Sequence, residues 1–244
     1  MHAAEIINKV GSNRFFAVLL LLLAGIAAAK WLTDPDVTPL KVARIEGEFR
    51  YMKRADLERA VAGVTQGGFF TADVQAVTEA AEALPWVAKA SVRRVWPDAI
   101  HVWVVEQSPL GRWKEDGLIN PDGEVFSPKG VKVKLKLPLL AGPEGSGKVV
   151  IEKYWLARTK LQSLGLNIVR LELSKRRAWR LHLENGAVIK LGVEDFAGRL
   201  QRFANVYPTL EAKWKEKLEA VDLRYANGMA VKWENRLVGK ASQS

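Results

Sequence analysis

Cysteine is absent from the 244-residue sequence, and histidine occurs only three times. Without cysteine the chain can form neither a disulfide nor a thiolate zinc site, and it has no cysteine nucleophile. The histidines stand far apart, and neither an H-E-x-x-H nor a G-x-S-x-G pattern occurs. We therefore expect a protein that is not an enzyme, with no catalytic residues, no bound metal and no cofactor.

Acidic residues are in the minority, with 27 Asp and Glu against 37 Lys and Arg, and the formal net charge is +10. A basic excess can indicate a nucleic-acid partner, but these cations are scattered through amphipathic segments instead of forming one patch. We therefore expect no nucleic acid among the partners. Attraction to anionic lipid headgroups is one interpretation of the charge, and plain solubility is the other.

Long runs without charge are also absent, with the exception of residues 15–32 (FFAVLLLLLAGIAAAKWL), which contain a single lysine near their end. A helix of about 18 residues is about 27 Å long, which matches the hydrocarbon layer of a bilayer. Lys30 can extend to the headgroups, and Trp31 can lie in the interface. The run predicts a transmembrane helix that follows a cytoplasmic tail of residues 1–14.

Two alternatives for this run remain. Lys9 and Arg14 resemble the basic start of a secretory signal peptide, and residues 27–29 (AAA) fit a cleavage site. The length of the apolar run and its Lys-Trp-Leu end favour an uncleaved anchor. A buried core helix is the second alternative, although hydrophobicity on every face suits lipid better. Basic residues flank both ends, but a short basic tail favours a cytoplasmic N-terminus and an exported main part.

A small α/β domain is predicted at residues 40–109, after a proline-containing linker at residues 33–39. Ile100, Val102 and Val104 alternate with other residues, which predicts one buried strand face. Thr71 or Asp73 can cap a helix. Arg93 and Arg94 are expected to be exposed, with one partly buried ion pair to Glu106 as the alternative. The predicted elements follow the order β-α-α-β-β: strand 41–46, helices 52–61 and 71–83, and strands 88–96 and 99–105.

A second domain, mainly of strands with packed helices, is predicted at residues 110–234, and residues 235–244 are predicted to form a disordered tail. The fold class is therefore α+β. Pro208 is expected to end or kink the last helix. The predicted elements are strands 117–120 and 124–126, helix 149–164, strand 168–173, a hairpin at 179–191, helix 195–207, and strands 220–225 and 229–233.

The registers of the two hairpins follow from matching their apolar faces. In the first, a three-residue loop ending at Gly186 aligns residues 179, 181 and 183 with residues 191, 189 and 187. In the second, a loop at residues 226–228 places Val221 opposite Trp233. The last strand has no successor in the sequence, so we expect it to form a sheet edge that can accept a partner strand.

Several patterns resemble catalytic or ligand sites but have simpler explanations. Residues 142–148 (GPEGSGK) satisfy G-x-x-x-x-G-K, but position 149 is valine, and Pro143 lacks an amide that could hold phosphate. We interpret this segment as an ordinary glycine-rich loop. Glu194 and Asp195 stand where a predicted helix begins, and acids are common at such positions. Among the nine tryptophans, we expect those at positions 86, 96, 179 and 233 to pack in the core.

Five short segments and one pair of residues together carry a family resemblance. Glu106 stands three residues before Pro109, and the segments are VARIEG (42–47), LPWV (84–87), VRRVWP (92–97), LLAGPEG (139–145) and VDLRY (221–225). With the preceding anchor, they resemble the FtsQ/DivIB family of bacterial cell division proteins. The resemblance implies that the first domain is a POTRA domain and the second is the β-domain of that family.

The resemblance also implies a function. Members are bitopic inner-membrane scaffolds of the divisome, with a cytoplasmic N-terminus, a periplasmic main part and enrichment at the septum. They link cytoplasmic and periplasmic division proteins and recruit the FtsB–FtsL complex for septal wall synthesis, with FtsK as a further partner. The family receives FtsB along its last strand, and no small-molecule substrate is implied. The partner-binding residues expected here are Arg224, Tyr225, Gly228, Val231 and Trp233.

A different class of function stays open on the residues alone. An exported peptidoglycan-binding or cell-wall-modifying protein needs only two carboxylates for hydrolysis, or exposed aromatic rings for stacking on sugars. Glycan binding by residues 40–234 would support this alternative over the scaffold.

Overall fold

The first helix, α1 (His2–Thr33), is the longest element of the chain. It contains one candidate membrane span, Phe16–Thr33, which is long and apolar enough to cross a bilayer. None of this span is buried against the rest of the described chain, so the core-helix alternative is wrong. The helix also extends through residues 2–14, which the sequence analysis treated as a tail.

The structure is a computed structural model that describes residues 2–34, 37–38, 40, 42–65, 68–128, 136–213 and 218–234. The predicted tail at residues 235–244 lies outside the described residues, as does part of the linker. The chain divides into two compact units, Met1–Gln107 and Ser108–Ser244.

A POTRA-type α/β arrangement follows α1 in the first unit, in the predicted order β-α-α-β-β. The strands align as β1-β3-β2, with β1 parallel and β2 antiparallel to the central strand. Ile100, Val102 and Val104 are buried against the helices, which confirms the predicted strand face. The elements are β1 (Val42–Glu46), α2 (Arg54–Ala62), α3 (Val74–Glu82), β2 (Val87–Val95) and β3 (Ala99–Glu106).

Two carboxylates of this domain bind backbone amides. Asp73 is the N-cap of α3, because its Oδ1 accepts hydrogen bonds from the amides of Gln75 (2.9 Å) and Ala76 (3.1 Å). Arg93 and Arg94 are exposed, as expected, and the alternative of an ion pair with Glu106 is wrong. The Glu106 carboxylate instead accepts hydrogen bonds from three backbone amides, at distances of 2.6, 2.9 and 2.7 Å, contributed by Arg50, Tyr51 and Met52.

The described part of the second unit is a nine-stranded sheet with two helices, so the α+β fold class is confirmed. Its described strands align in the order β12-β11-β10-β9-β8-β7-β4-β5-β6. The elements are β4 (Gly111–Trp113), β5 (Gly117–Ile119), β6 (Val125–Phe126), β7 (Leu139–Ala141), α4 (Gly147–Gln162), β8 (Ile168–Leu173), β9 (Trp179–Leu183), β10 (Val188–Gly192), α5 (Phe196–Lys213), β11 (Leu218–Asp222) and β12 (Ala230–Trp233).

The core of this unit lies between the sheet and the two helices. Leu181 and Ile189 from the sheet and Phe203 from α5 are fully buried within it. Pro208 does not end α5, which continues to Lys213. The proline lies on an exposed part of the helix, where water can hydrate the carbonyl that its missing N–H leaves unbonded.

The β9–β10 hairpin has nearly the predicted register. Leu181 pairs with Ile189, and Gly186 has φ 92°, as its position in the loop requires. A bulge after Lys190 places Trp179 opposite Gly192 and not opposite the predicted Leu191.

The register of the β11–β12 hairpin differs from the prediction by two residues. Val221 pairs with Val231, and Leu218 pairs with Trp233, so the connection is the longer segment 223–229. A shift of two residues leaves every side chain on the same face of the sheet. The apolar pattern is therefore satisfied equally well by both registers.

The four tryptophans predicted for the core have three different environments. Trp86 and Trp179 are buried, and Trp233 is half-buried. Trp96 is 79% exposed, so its prediction is wrong. The indole stands in the turn after β2, where the described chain does not cover it.

The glycine-rich loop packs against a neighbouring turn. A Cβ on Gly147, the first residue of α4, would lie 2.1 Å from the carbonyl oxygen of Gly123. Ser146 is buried, and its hydroxyl donates to the carbonyl of Pro143 at 2.6 Å. The start of α4 is therefore closed by the chain itself, which agrees with the interpretation as an ordinary loop.

Candidate functional site: the β12 edge and its basic surroundings

Strand β12 is the outermost strand of the described sheet and pairs there only with β11. The two strands are antiparallel, so successive N–H and C=O groups alternate between the neighbour and the open side. An open edge of this kind can accept an additional strand. The sequence prediction that this strand lies at a sheet edge is confirmed.

The side chains of β12 divide between the two faces of the sheet. Val231 and Trp233 are half-buried and pack against the core. Ala230 and Lys232 are exposed, and the Lys232 ammonium lies 2.5 Å from the Glu219 carboxylate. This ion pair is solvent-exposed and adds little to stability, so it is a weak obstacle to a partner strand.

Arg224 lies just after β11 and forms a two-pronged contact with Asp222. Its Nε and Nη2 donate to the carboxylate at 2.9 and 2.6 Å. These hydrogen bonds hold the pKa of Asp222 below its ordinary value, against the opposing effect of partial burial. The guanidinium itself is exposed, and both groups are charged at neutral pH.

Two arginines on α5 bind backbone carbonyls, one in the β11–β12 connection and the other in β10. Arg202 Nη1 donates to the carbonyl of Tyr225 at 3.0 Å and to that of Gly228 at 3.2 Å. Arg199 Nη1 donates to the carbonyl of Leu191 at 2.6 Å. The sequence analysis missed both arginines. Their positions beside the predicted core residues of α5 were the only available signal.

The five predicted partner-binding residues occupy one stretch of the structure. Arg224, Tyr225 and Gly228 lie in the β11–β12 connection, and Val231 and Trp233 lie in β12. The Tyr225 side chain is 59% exposed. Arg202 attaches the connection to α5. Strand β12 follows the connection and pairs with β11. Their role in binding a partner stays a prediction.

An open depression of about 880 Å³ lies on the sheet next to Arg224. Its charged lining residues are two acids, Glu144 and Glu172, and a larger number of cations. The cations are Lys114, Lys175, Arg177, Arg180, Lys190 and Arg224. The depression is therefore suited to acidic groups on a bound partner.

His182 stands on the same open face of the sheet. Burial lowers the pKa of this imidazole, and the Glu172 carboxylate, 3.8 Å away, acts in the opposite direction. The nearby cations Arg170 and Arg180 add to the lowering. The ring is therefore largely neutral at pH 7.

Within the described ranges, no group of three or more acidic or histidine side chains could hold a metal ion. Asp195 Oδ1 accepts from the amide of Gly198 at 3.0 Å, at the start of α5, which agrees with the interpretation of Glu194 and Asp195 as acids at a helix start. This contact is typical of a helix cap.

Comparisons with known proteins agree with this architecture. Residues 38–107 match the model of the POTRA domain, FtsQ-type, and residues 111–224 match that of the cell division protein FtsQ/DivIB, C-terminal. Cell division protein FtsQ of Shewanella oneidensis is 39% identical over 212 residues, which cover 87% of this chain and 80% of that protein. FtsQ of Allochromatium vinosum is 38% identical, with 88% of this chain and 87% of the relative covered. FtsQ of Burkholderia pseudomallei is 35% identical, with 92% of this chain and 91% of the relative covered.

With an apolar anchor helix, a POTRA domain and a strand-rich second unit, this single-pass membrane protein belongs to the FtsQ/DivIB family of cell division proteins.

Proposed function

We propose that this chain is a non-enzymatic bitopic scaffold of the bacterial divisome that recruits the FtsB–FtsL complex by strand addition at β12. The observation that carries the proposal is the outermost position of β12 in the described sheet of an FtsQ-family chain. A strand added there would form backbone hydrogen bonds along the open side, and side chains beside the strand would select its sequence.

The charges around the edge support a partner with acidic residues. Arg224 is exposed at the start of the β11–β12 connection and borders the basic depression. Complementary charge would raise the rate of encounter and fix the orientation of the incoming chain. Tyr225, which is mainly exposed, offers an aromatic contact beside it.

The proposed location follows from α1 and from the family. The N-terminus lies in the cytoplasm, the POTRA domain and the second unit lie in the periplasm, and the protein concentrates at the septum of the inner membrane. In this topology the chain links cytoplasmic division proteins, with FtsK among the candidates, to periplasmic ones. Neither a substrate nor a cofactor is needed for this role.

Paired proline substitutions in β12 test the edge mechanism. N–H directions alternate along the strand, so Val231→Pro and Lys232→Pro remove one amide that faces β11 and one that faces outward. We expect both to weaken binding of purified FtsB–FtsL to the full-length chain in nanodiscs by at least about tenfold in Kd. Deletion from Gly228 onward should abolish binding without affecting membrane insertion.

The matched controls are Val231→Ala and Lys232→Ala, which shorten the same side chains but keep the amides. The proline that removes the outward amide should weaken binding while the unfolding free energy of the second unit falls by less than about 1 kcal/mol. The proposal fails if both proline variants bind with wild-type affinity. It also fails if the binding loss occurs only in the variant that destabilises the sheet.

A further inference from the structure

The POTRA domain exposes a group of apolar side chains at one end of its sheet. Trp96 has the largest exposed fraction of the large hydrophobic residues described, 79%, and Phe70 and Val95 are 47% and 40% exposed. We call these three residues the anchor-side end. Monomeric proteins usually expose such side chains together only where they bind something.

The topology of the domain places this end next to the membrane helix. The chain enters β1 at Val42 shortly after α1 ends at Thr33, and Val42 pairs with Ala99. Ala99 begins β3, directly after the β2–β3 turn that contains Trp96. The turn and the entry of the chain from the anchor therefore share the same end of the sheet.

Hydrogen bonds connect the Phe69–Phe70 segment to the end of α1 through one residue, Thr38. The Thr38 hydroxyl donates to the carbonyl of Leu32 at 3.1 Å, and the Thr38 carbonyl accepts from the amide of Phe69 at 2.8 Å. Even a fully extended link of residues 34–38 would span only about 17 Å. The exposed Phe70 ring is thus held near the level at which the membrane span ends.

A further contact joins the two halves of the anchor-side end. Arg94 Nη2 donates to the carbonyl of Ala72 at 2.7 Å, which ties the Phe70 loop to the last residues of β2. Arg93 and Arg94 place two cations immediately before Val95 and Trp96, and Asp98 is the carboxylate of the same turn. Aromatic rings accompanied by cations are typical of surfaces that lie in the headgroup layer of a bilayer.

The opposite end of the same domain provides the contrast. Trp86 is 5% exposed and stacks on Tyr51, with ring centroids 4.7 Å apart. An indole of this domain is therefore covered where it takes part in packing. Trp103, which pairs with Glu46 at the far end of β1, is also 54% exposed. The exposed aromatics at the end that adjoins the anchor are Phe70 and Trp96.

We propose that the anchor-side end, formed by Phe70, Val95 and Trp96, inserts into the headgroup layer of the membrane that α1 crosses. Insertion removes apolar surface from water, and Arg93 and Arg94 attract anionic phospholipids. The POTRA domain is then seated on the bilayer surface and does not swing freely on its link. This inference requires α1 to span the membrane, but it does not depend on any protein partner or on the orientation of the chain.

Site-directed spin labelling of the full-length chain tests the proposal directly, because the sequence contains no cysteine. Trp96→Cys labels the anchor-side end, and Glu48→Cys labels the opposite end, where the Glu48 side chain is 82% exposed. Both variants are placed in nanodiscs of phosphatidylcholine and phosphatidylglycerol. We expect the ratio of nitroxide collisions with oxygen to those with a water-soluble nickel chelate to be several-fold higher at position 96 than at position 48. Equal, water-like ratios at both positions would overturn the proposal.

A second set of variants tests whether the aromatic side chains cause the insertion. With the label at position 96, Phe70→Ser should lower the collision ratio toward the aqueous value, and Phe70→Leu should retain it. Val105→Ser is the matched control, since Val105 is 50% exposed on the same sheet but lies away from the anchor-side end. The proposal is wrong if Phe70→Ser leaves the ratio unchanged, or if Val105→Ser changes it equally while circular dichroism shows both variants folded.

Discussion

The guanidinium of Arg202 donates a hydrogen bond to the backbone carbonyl of Tyr225, 3.0 Å away, and thereby attaches the β11–β12 connection to helix α5. A second bond from the same nitrogen reaches Gly228 at 3.2 Å. The connection is otherwise irregular and largely exposed. Arg202 is therefore the residue that positions the start of the edge strand relative to the core.

Removal of this guanidinium should loosen the connection. We expect Arg202→Ala to lower the unfolding free energy of the second unit by about 1–2 kcal/mol, because two hydrogen bonds to carbonyls are lost. Amide exchange at residues 225–230 should accelerate while that of the sheet core does not. Arg176→Ala, at an exposed arginine in the β8–β9 turn, is the control and should change neither quantity. Unchanged exchange in Arg202→Ala would contradict the positioning role.

The sequence predicted most of the elements, although not β4 or β7, and it could not predict this contact. Alternation at Ile100, Val102 and Val104 fixes a buried face, because side chains on a strand have a period of two. The partners of Arg202 are backbone carbonyls, which every residue carries, so no side-chain pattern identifies them. The β11–β12 register was missed for a related reason, since a two-residue slip leaves all apolar side chains on the same face.

Contacts between distant segments set a second limit on prediction. Strand β7 lies between β4 and β8 and is parallel to both, an arrangement that adjacent segments of sequence do not specify. Glu106 was a candidate partner for an arginine on the adjacent strand, but it binds the amides that precede α2. A carboxylate can accept from either kind of donor, and only the fold decides between them.

The carboxylate of Glu106 should contribute to the stability of the POTRA domain. Glu106→Gln replaces one acceptor oxygen with an NH₂ group, which would face the amides of residues 50–52. We expect the unfolding free energy of this domain to fall by about 1–3 kcal/mol. Glu48→Gln, in the same segment but exposed, should change it by less than about 0.5 kcal/mol. Thermal unfolding followed by circular dichroism measures both, and equal effects would show that the amide contacts are unimportant.

The closed start of α4 gives a prediction about the glycine-rich loop. In Gly147→Ala the new Cβ would meet the Gly123 carbonyl, so the backbone must shift, and we expect a loss of about 1–3 kcal/mol in unfolding free energy. Gly228→Ala is the control, because no atom lies within 4 Å of its added Cβ. If Gly147→Ala were as stable as the control, the packing of this loop would be looser than the structure indicates.

The partly buried imidazole of His182 should make the stability of the second unit depend on pH. Because burial lowers its pKa in the folded chain, the unfolded chain, with a pKa of about 6.5, binds a proton more readily. The contribution is therefore fully present above about pH 6.5 and is lost as the pH falls toward the folded pKa, by up to about 1.4 kcal/mol per pH unit.

Chemical denaturation between pH 7 and pH 5 measures this slope. We expect His182→Gln to flatten it, since glutamine does not titrate, and His101→Gln, in the other unit, to leave the transition of the second unit unchanged. Glu172 beside the ring opposes the effect without removing it. A wild-type slope that persists in His182→Gln would assign the pH dependence to another group.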